Sequence, residues 1–300
     1  MSPKAGGHMA ETVLRVEGVC QWFTLQKRRF DAVCDVSFDI AAGEFFGIVG
    51  ESGSGKSTLA RTIAQALPAR AGRVFLYDWE ITDPAVRRVR RKQIGKELQL
   101  VFQEVQDAVN LRMRVLDAVV EPLRIVGQGT AAQQRERAVQ GLCALGLPES
   151  LLARDLHEIS GGQLQRLTIC RALMCDPAVL IADEALSSQD VSMQSQVAQV
   201  LRERCERGKS NILIAHDLSL VRAVCDRVAV MQRGRLVECA PVEQLMRHPL
   251  HPYTQALLSA IPSPDPAVQL QERVHQPPQV DPTTQVWIQA APGHWVLQDA

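Results

Sequence analysis

Short, nearly continuous apolar runs alternate along this chain with longer stretches in which apolar residues recur at helical spacing. Phe45-Phe46-Gly47-Ile48-Val49, Leu98-Gln99-Leu100-Val101-Phe102, Ala178-Val179-Leu180-Ile181-Ala182 and Asn211-Ile212-Leu213-Ile214-Ala215 have the length and character of buried strands. Residues 58–64 and 164–173 predict helices, and residues 116–147 carry apolar positions at helical spacing with polar faces rich in Gln, Glu and Arg. Strand and helix patterns interleaved in this way predict an α/β fold, with the stretch around 116–147 as a helical insertion.

The remaining segments are less regular. Val13-Leu14-Arg15-Val16 alternates in the manner of an edge strand, residues 32–40 predict a second strand closed by Ala41-Ala42-Gly43-Glu44, and residues 72–77 predict a third. Residues 21–30 read as a loop holding Trp22, Phe23 and Phe30, and Phe23 is the chosen candidate to stack on a purine ring. From Ser263 on, Pro and Gln dominate, and only residues 284–288 and 295–297 suggest short strands. Pro249 and Pro252 interrupt any helix that would align His248 with His251, which argues against a metal pair there.

The strand at 45–49 runs into Gly50-Glu51-Ser52-Gly53-Ser54-Gly55-Lys56-Ser57, and a helical pattern opens at Thr58. Glycines at 50, 53 and 55 let successive N–H groups converge on phosphate oxygens, and the helix start adds its positive dipole end. Lys56 reaches β and γ phosphates as a point charge, and the Ser57 hydroxyl is a ligand for Mg²⁺. A nucleoside triphosphate site follows. Ser160-Gly161-Gly162-Gln163 opens a second helix with an N-cap serine and two glycines, another start suited to an anion. The run at 178–182 ends in Asp183 and Glu184, and the run at 211–215 ends in His216. Strand ends in an open α/β sheet are where ligands sit, and paired acids there can hold Mg²⁺ and orient a water.

Composition narrows the partners. Three hundred residues, 46% apolar, suffice for one large core with length over for an insertion and a tail. Lys plus Arg equals Asp plus Glu at 33 each, so no global charge argues for nucleic acid. The eight cysteines form no Cys-x-x-Cys pair and read as reduced core residues of a cytosolic protein. No apolar run reaches the roughly 20 residues of a membrane span, and residues 1–10 lack the apolar stretch of a signal peptide.

These pieces, in this order, resemble the ATP-binding subunit of an ABC transporter over residues 12–262. The resemblance implies a P-loop NTPase fold with a RecA-like core, an antiparallel β subdomain and an inserted α-helical subdomain at about 104–160. That ABC ATPase domain would span 11–262, between an N-terminal segment at 1–10 and a C-terminal extension at 263–300. By resemblance, residues 50–57 are the Walker A loop, Gln103 the Q-loop glutamine, Ser160 to Gln163 the signature, Asp183 and Glu184 the Walker B acids, Asp190 the D-loop aspartate and His216 the switch histidine. ATP and Mg²⁺ are the implied cofactors. Asp183 and Ser57 would hold the metal, Gln103 would touch the metal or the lytic water in a catalytic role, Glu184 would be the general base, and His216 would contact the γ-phosphate. The signature would act in trans, on the nucleotide of a second ATPase subunit, identical or related.

Finer similarity points to the oligopeptide, dipeptide and nickel importer group. It rests on Phe102-Gln103 followed by Asn110-Leu111-Arg112, on His251-Pro252-Tyr253-Thr254-Gln255-Ala256-Leu257-Leu258, and on Ala291-Pro292-Gly293-His294-Trp295-Val296. That group implies two permease subunits, an extracytoplasmic solute-binding protein and a place on the cytoplasmic face of the membrane. Ala185, Ser188-Gln189 and Glu104-Val105 depart from the usual pattern, and with no cysteine after Cys239 no iron–sulfur cluster is expected. Two other readings compete: the ATPase of a soluble assembly such as phosphonate carbon–phosphorus lyase, and a translation or DNA-repair ABC protein. The last would usually show two ATPase domains or a heptad run, and this chain has neither.

Overall fold

The computed structural model describes residues 11–26, 28–104, 109–186, 191–259 and 285–299. β1 (Thr12–Leu25) and β2 (Arg28–Ala41) form a long antiparallel hairpin. β3 (Phe45–Val49), buried at every position, feeds α1 (Lys56–Ile63) through the glycine-rich loop. β4 (Ala71–Leu76) pairs with β1 and β5 (Trp79–Glu80) with β4, so the first sheet has the order β2-β1-β4-β5. α2 (Pro84–Glu97) begins behind an Asp83 side-chain cap, with Pro84 where no N–H is needed, and ends at β6 (Leu98–Val101).

The chain then leaves the sheet. α3 (Val115–Val126) stops at left-handed Gly127, and α4 (Ala131–Ala144) starts at a reciprocal cap between Thr130 and Gln133. α5 (Gly161–Leu173) returns it to β7 (Val179–Asp183). α6 (Val191–Glu206), β8 (Ser210–Ile214), α7 (Leu218–Val224), β9 (Arg227–Gln232) and β10 (Arg235–Pro241) follow, then α8 (Val242–Arg247), α9 (Pro252–Ser259), β11 (Gln285–Ala291) and β12 (His294–Asp299).

The second sheet has the order β11-β12-β10-β9-β3-β8-β7-β6. Its stretch from β9 to β6 is parallel, which is why those strands are apolar on both faces; the β10-β12-β11 edge is antiparallel. Alternation along β3 divides the core: Phe45 and Val49 join the helical layer with Leu123, Leu142 and Leu167, while Phe46 and Ile48 join the first sheet and α1. Phe38 of β2 stacks on Phe46 at 5.2 Å, tying the two sheets together.

Three expectations need correction. Val13 to Val16 lie in β1, an inner strand flanked by β2 and β4, because a strand with one solvated face alternates whether or not it has two neighbours. Residues 21–30 are not a loop but the end of the hairpin, with Phe23 paired to Phe30 and Trp22 to Asp31. The cysteines are free, but Cys143 is exposed and Cys20 and Cys34 half-buried, so not all are core residues.

Candidate active site

The C-terminal ends of β3, β6, β7 and β8 meet at one edge of the second sheet and set the site. The phosphate loop can form only with glycine at its two ends. At Gly50 (φ 152°) a Cβ would lie 2.1 Å from the Met231 carbonyl oxygen, and at Gly55 (φ 106°) 2.2 Å from that of Ala32. The Gly234 N–H, from the turn after β9, donates to the Ser54 carbonyl at 2.8 Å and closes the loop against the sheet.

Lys56 is 5% exposed, and its ammonium donates to Gly50 O and Glu51 O at 2.8 Å and to Ser54 Oγ at 3.4 Å. Burial lowers its pKa, opposed by the charges of Glu184, Asp183 and Glu51. A cation thus stands inside the glycine-rich loop with only neutral acceptors bonded to it, a cradle suited to phosphate.

Next to it the Ser57 hydroxyl donates to Asp183 Oδ1 at 2.9 Å. Asp183 is fully buried, its Oδ2 has no hydrogen-bond partner, and burial raises its pKa. An unpartnered buried carboxylate oxygen beside a serine hydroxyl fits a hard divalent cation such as Mg²⁺.

Glu184, one residue past the end of β7, has φ 49°, a left-handed conformation that costs a non-glycine residue about 1 kcal/mol or more. Its N–H donates to Ile214 O at 3.0 Å, which holds the turn against β8. That strained turn aims the carboxylate at the two loops beside it. Gln103 Nε2 donates to Glu184 Oε2 at 2.6 Å, and His216 Nδ1 lies 3.9 Å from Oε1. Lys56, Ser57, Gln103, Asp183, Glu184 and His216 are therefore brought together from four strand ends.

The other candidates lie apart from that cluster. Ser160 is the N-cap of α5, where its Oγ accepts from Gln163 N–H at 3.3 Å and Gln163 Oε1 accepts from Ser160 N–H at 3.0 Å. A Cβ added at Gly161 or Gly162 would meet open space. Phe23 is partly exposed on the hairpin opposite Phe30, while Arg29 covers the Trp22 ring at 4.1 Å. Asp190 lies outside the described residues.

Two contacts escaped the sequence reading. Gln165 Nε2 donates to the Glu184 carbonyl at 3.4 Å, joining α5 to the acid, and the Tyr253 hydroxyl accepts from Glu51 N–H at 2.9 Å. Nothing in the spacing announces either.

A glycine-rich loop wrapped on a buried lysine, with a serine hydroxyl bonded to a strand-end aspartate at the edge of a parallel sheet, defines a P-loop NTPase. Comparison with known proteins narrows this class. Residues 33–187 match the ABC transporter family, and residues 237–285 match the oligopeptide/dipeptide transporter C-terminal region. The chain is 41% identical over 297 residues to the oligopeptide transport ATP-binding protein OppF of Bacillus subtilis, covering 96% of this chain and 97% of that one. It is 40% identical over 268 residues to a putative peptide import ATP-binding protein of Brucella ovis, covering 89% of this chain and 84% of that one. Among solved structures, the dimeric post-hydrolysis state of the ATP-binding cassette MJ0796 bound to ADP and Pi superposes with a TM-score of 0.71 at 25% identity, over 76% of this chain and 98% of that one. The chain belongs to the ABC transporter family, as the ATP-binding, ATP-hydrolysing subunit of an importer.

Proposed function

We propose that the protein drives import of peptides, closing head to tail with a second ATPase subunit beneath two permease subunits that receive solute from a binding protein. The observation that carries the head-to-tail pairing is the bare start of α5. Gly161 and Gly162 stand where a side chain would touch nothing among the described residues, so the glycines answer to something that approaches the helix from outside. A phosphate on a partner's loop is such a group, drawn by the positive end of the helix and the N–H groups of Gly161 and Gly162. Similarity to peptide import and oligopeptide transport subunits supports the solute class, and it favours import over the carbon–phosphorus lyase alternative.

Within the site each residue then has a task. Ser57 and Asp183, with Gln103, would hold Mg²⁺, which would screen phosphate charge. The loop from Gly50 through Gly53 and Gly55 to Lys56 and Thr58, with Glu51, Ser52 and Ser54 in its backbone, grips the phosphates. Glu184 takes a proton from the attacking water, His216 orients the γ-phosphate, and Phe23 stacks on the base. Ser160, Gly161, Gly162, Gln163 and Asp190 act across the pair.

No helix among the described residues is long and apolar enough to cross a membrane, and attachment at the cytoplasmic face comes through the permeases. The surface for them is a cleft of about 450 Å³ between α2 and α3, lined by Arg91, Lys92, Gln99, Pro122, Ile125 and Val126. Apolar floor and basic rim suit a short cytoplasmic helix of a permease with acidic residues at its margin. Arg91→Glu is expected to weaken co-purification with the permeases about tenfold at low salt while ATP binding by the isolated chain stays unchanged. Unaltered co-purification would move the docking surface elsewhere.

The function is tested in proteoliposomes holding both ATPase subunits and both permeases. Peptide-loaded binding protein is expected to stimulate ATP hydrolysis and uptake of labelled peptide together. Stimulation by soluble lyase components alone would overturn import.

A further inference from the structure

We propose that Tyr253 is a positioning residue for the ATP site, its hydroxyl setting the peptide plane on which Lys56 is seated. The proposal rests on the reading of residues 50–57 as the ATP loop. Glu51 N–H donates to the Tyr253 hydroxyl at 2.9 Å across 202 residues of sequence. The other end of the same peptide unit is Gly50 O, which accepts from the Lys56 ammonium at 2.8 Å. A peptide unit is planar, so fixing its N–H fixes its C=O. One peptide plane is thereby held at one end by a tyrosine hydroxyl and at the other by the ammonium that meets phosphate.

The need for such an anchor is local. Residues 51–53 are exposed, and within the loop the Ser54 N–H, at 3.2 Å, and the Lys56 ammonium, at 2.8 Å, share Glu51 O while the Glu51 N–H turns outward to Tyr253. Tyr253 is the opposite, 3% exposed and packed into the helical layer of the core. It is rigid because its surroundings are. Tyr253 N–H donates to His251 Nδ1 at 3.1 Å at the start of α9. Leu250 and His251 N–H donate to the two carboxylate oxygens of Glu238 at 2.9 and 3.0 Å. Glu238 is fully buried on β10, and His294 Nε2 of β12 lies 2.7 Å from its Oε1. The C-terminal strands thus brace the turn that carries Tyr253, and the tyrosine passes that stiffness to an exposed loop. A loop ordered before ATP arrives spends less binding energy on ordering itself, so the hydroxyl acts on affinity and not on the chemical step.

The test uses the assembled transporter. Tyr253→Phe keeps the ring and removes the hydroxyl, and Tyr253→Leu removes both. Tyr253→Phe is expected to raise the KM for ATP roughly three- to tenfold with kcat within about twofold of wild type. Its thermal midpoint falls by no more than about 4 °C, because one hydrogen bond to an exposed loop is all that is lost. Tyr253→Leu should share the KM but melt lower. A wild-type KM in Tyr253→Phe, with the rise confined to Tyr253→Leu, would reduce Tyr253 to core packing and overturn the proposal. If the wild-type complex hydrolyses no ATP, the assignment of the site fails instead. Calorimetric titration of the isolated chain with ATP then decides the tyrosine separately: weaker binding by Tyr253→Phe upholds its role, and equal binding overturns it.

Discussion

Glu184→Gln is expected to bind ATP within about twofold of the wild-type affinity and to turn it over some hundred- to thousandfold more slowly, the usual worth of a positioned general base. The geometry makes this substitution clean. An amide keeps the length of the side chain and an oxygen to accept from Gln103 Nε2, now 2.6 Å from Glu184 Oε2. The Glu184 backbone, with φ 49° and its N–H on Ile214 O at 3.0 Å, stays as it is, because no atom of that turn changes. Only the capacity to take a proton is lost. Single-turnover hydrolysis and filter binding of ATP separate the two effects. A variant that hydrolyses near the parent rate would remove Glu184 from the role of base and return attention to the His216 imidazole, whose Nδ1 is 3.9 Å from Glu184 Oε1.

The backbone strain at Glu184 also marks how much of the site could be read in advance. The loop at residues 50–57 is legible because its chemistry is contiguous: glycines, lysine and serine stand on neighbouring peptide units, and the loop folds around the Lys56 ammonium. Asp183, Glu184 and His216 are legible as the polar ends of apolar strands, since parallel strands buried on both faces end abruptly in whatever the ligand needs. What fails is polarity used on exposed strands. Arg28, Arg29 and Asp31 look like loop residues, yet the Arg29 guanidinium covers Trp22 at 4.1 Å and pairs with Asp31, so the hairpin tip is a solvated ladder. The place of Val13 to Val16 inside a sheet was hidden for a related reason, because β2 and β4 reach β1 from different distances along the chain. Tyr253 and Gln165 were invisible because their partners are backbone groups, which any sequence supplies.

The second large effect concerns Lys56. Lys56→Ala is expected to weaken ATP binding about a hundred- to thousandfold, or roughly 3–4 kcal/mol, as befits the loss of charge-assisted bonds to phosphate in a buried cradle. Its ammonium serves the loop as well as the ligand, joining Gly50 O and Glu51 O at 2.8 Å with Ser54 Oγ at 3.4 Å, so removal both discharges the cradle and loosens it. Lys56→Arg tells these apart. It preserves the charge, but a planar fork with five donors does not fit where three acceptors converge on a point, and Lys56 is 5% exposed. Arginine should therefore rescue little of the affinity, and full rescue would show that charge alone matters. A pH signature accompanies the wild type. Burial lowers the Lys56 pKa below that of an ordinary lysine, so the free protein holds the ammonium proton less firmly than an exposed lysine would. ATP affinity is then complete below that lowered pKa and declines as pH rises through it. Lys56→Ala has no such group to titrate, so its weak binding should stay flat over the same alkaline range.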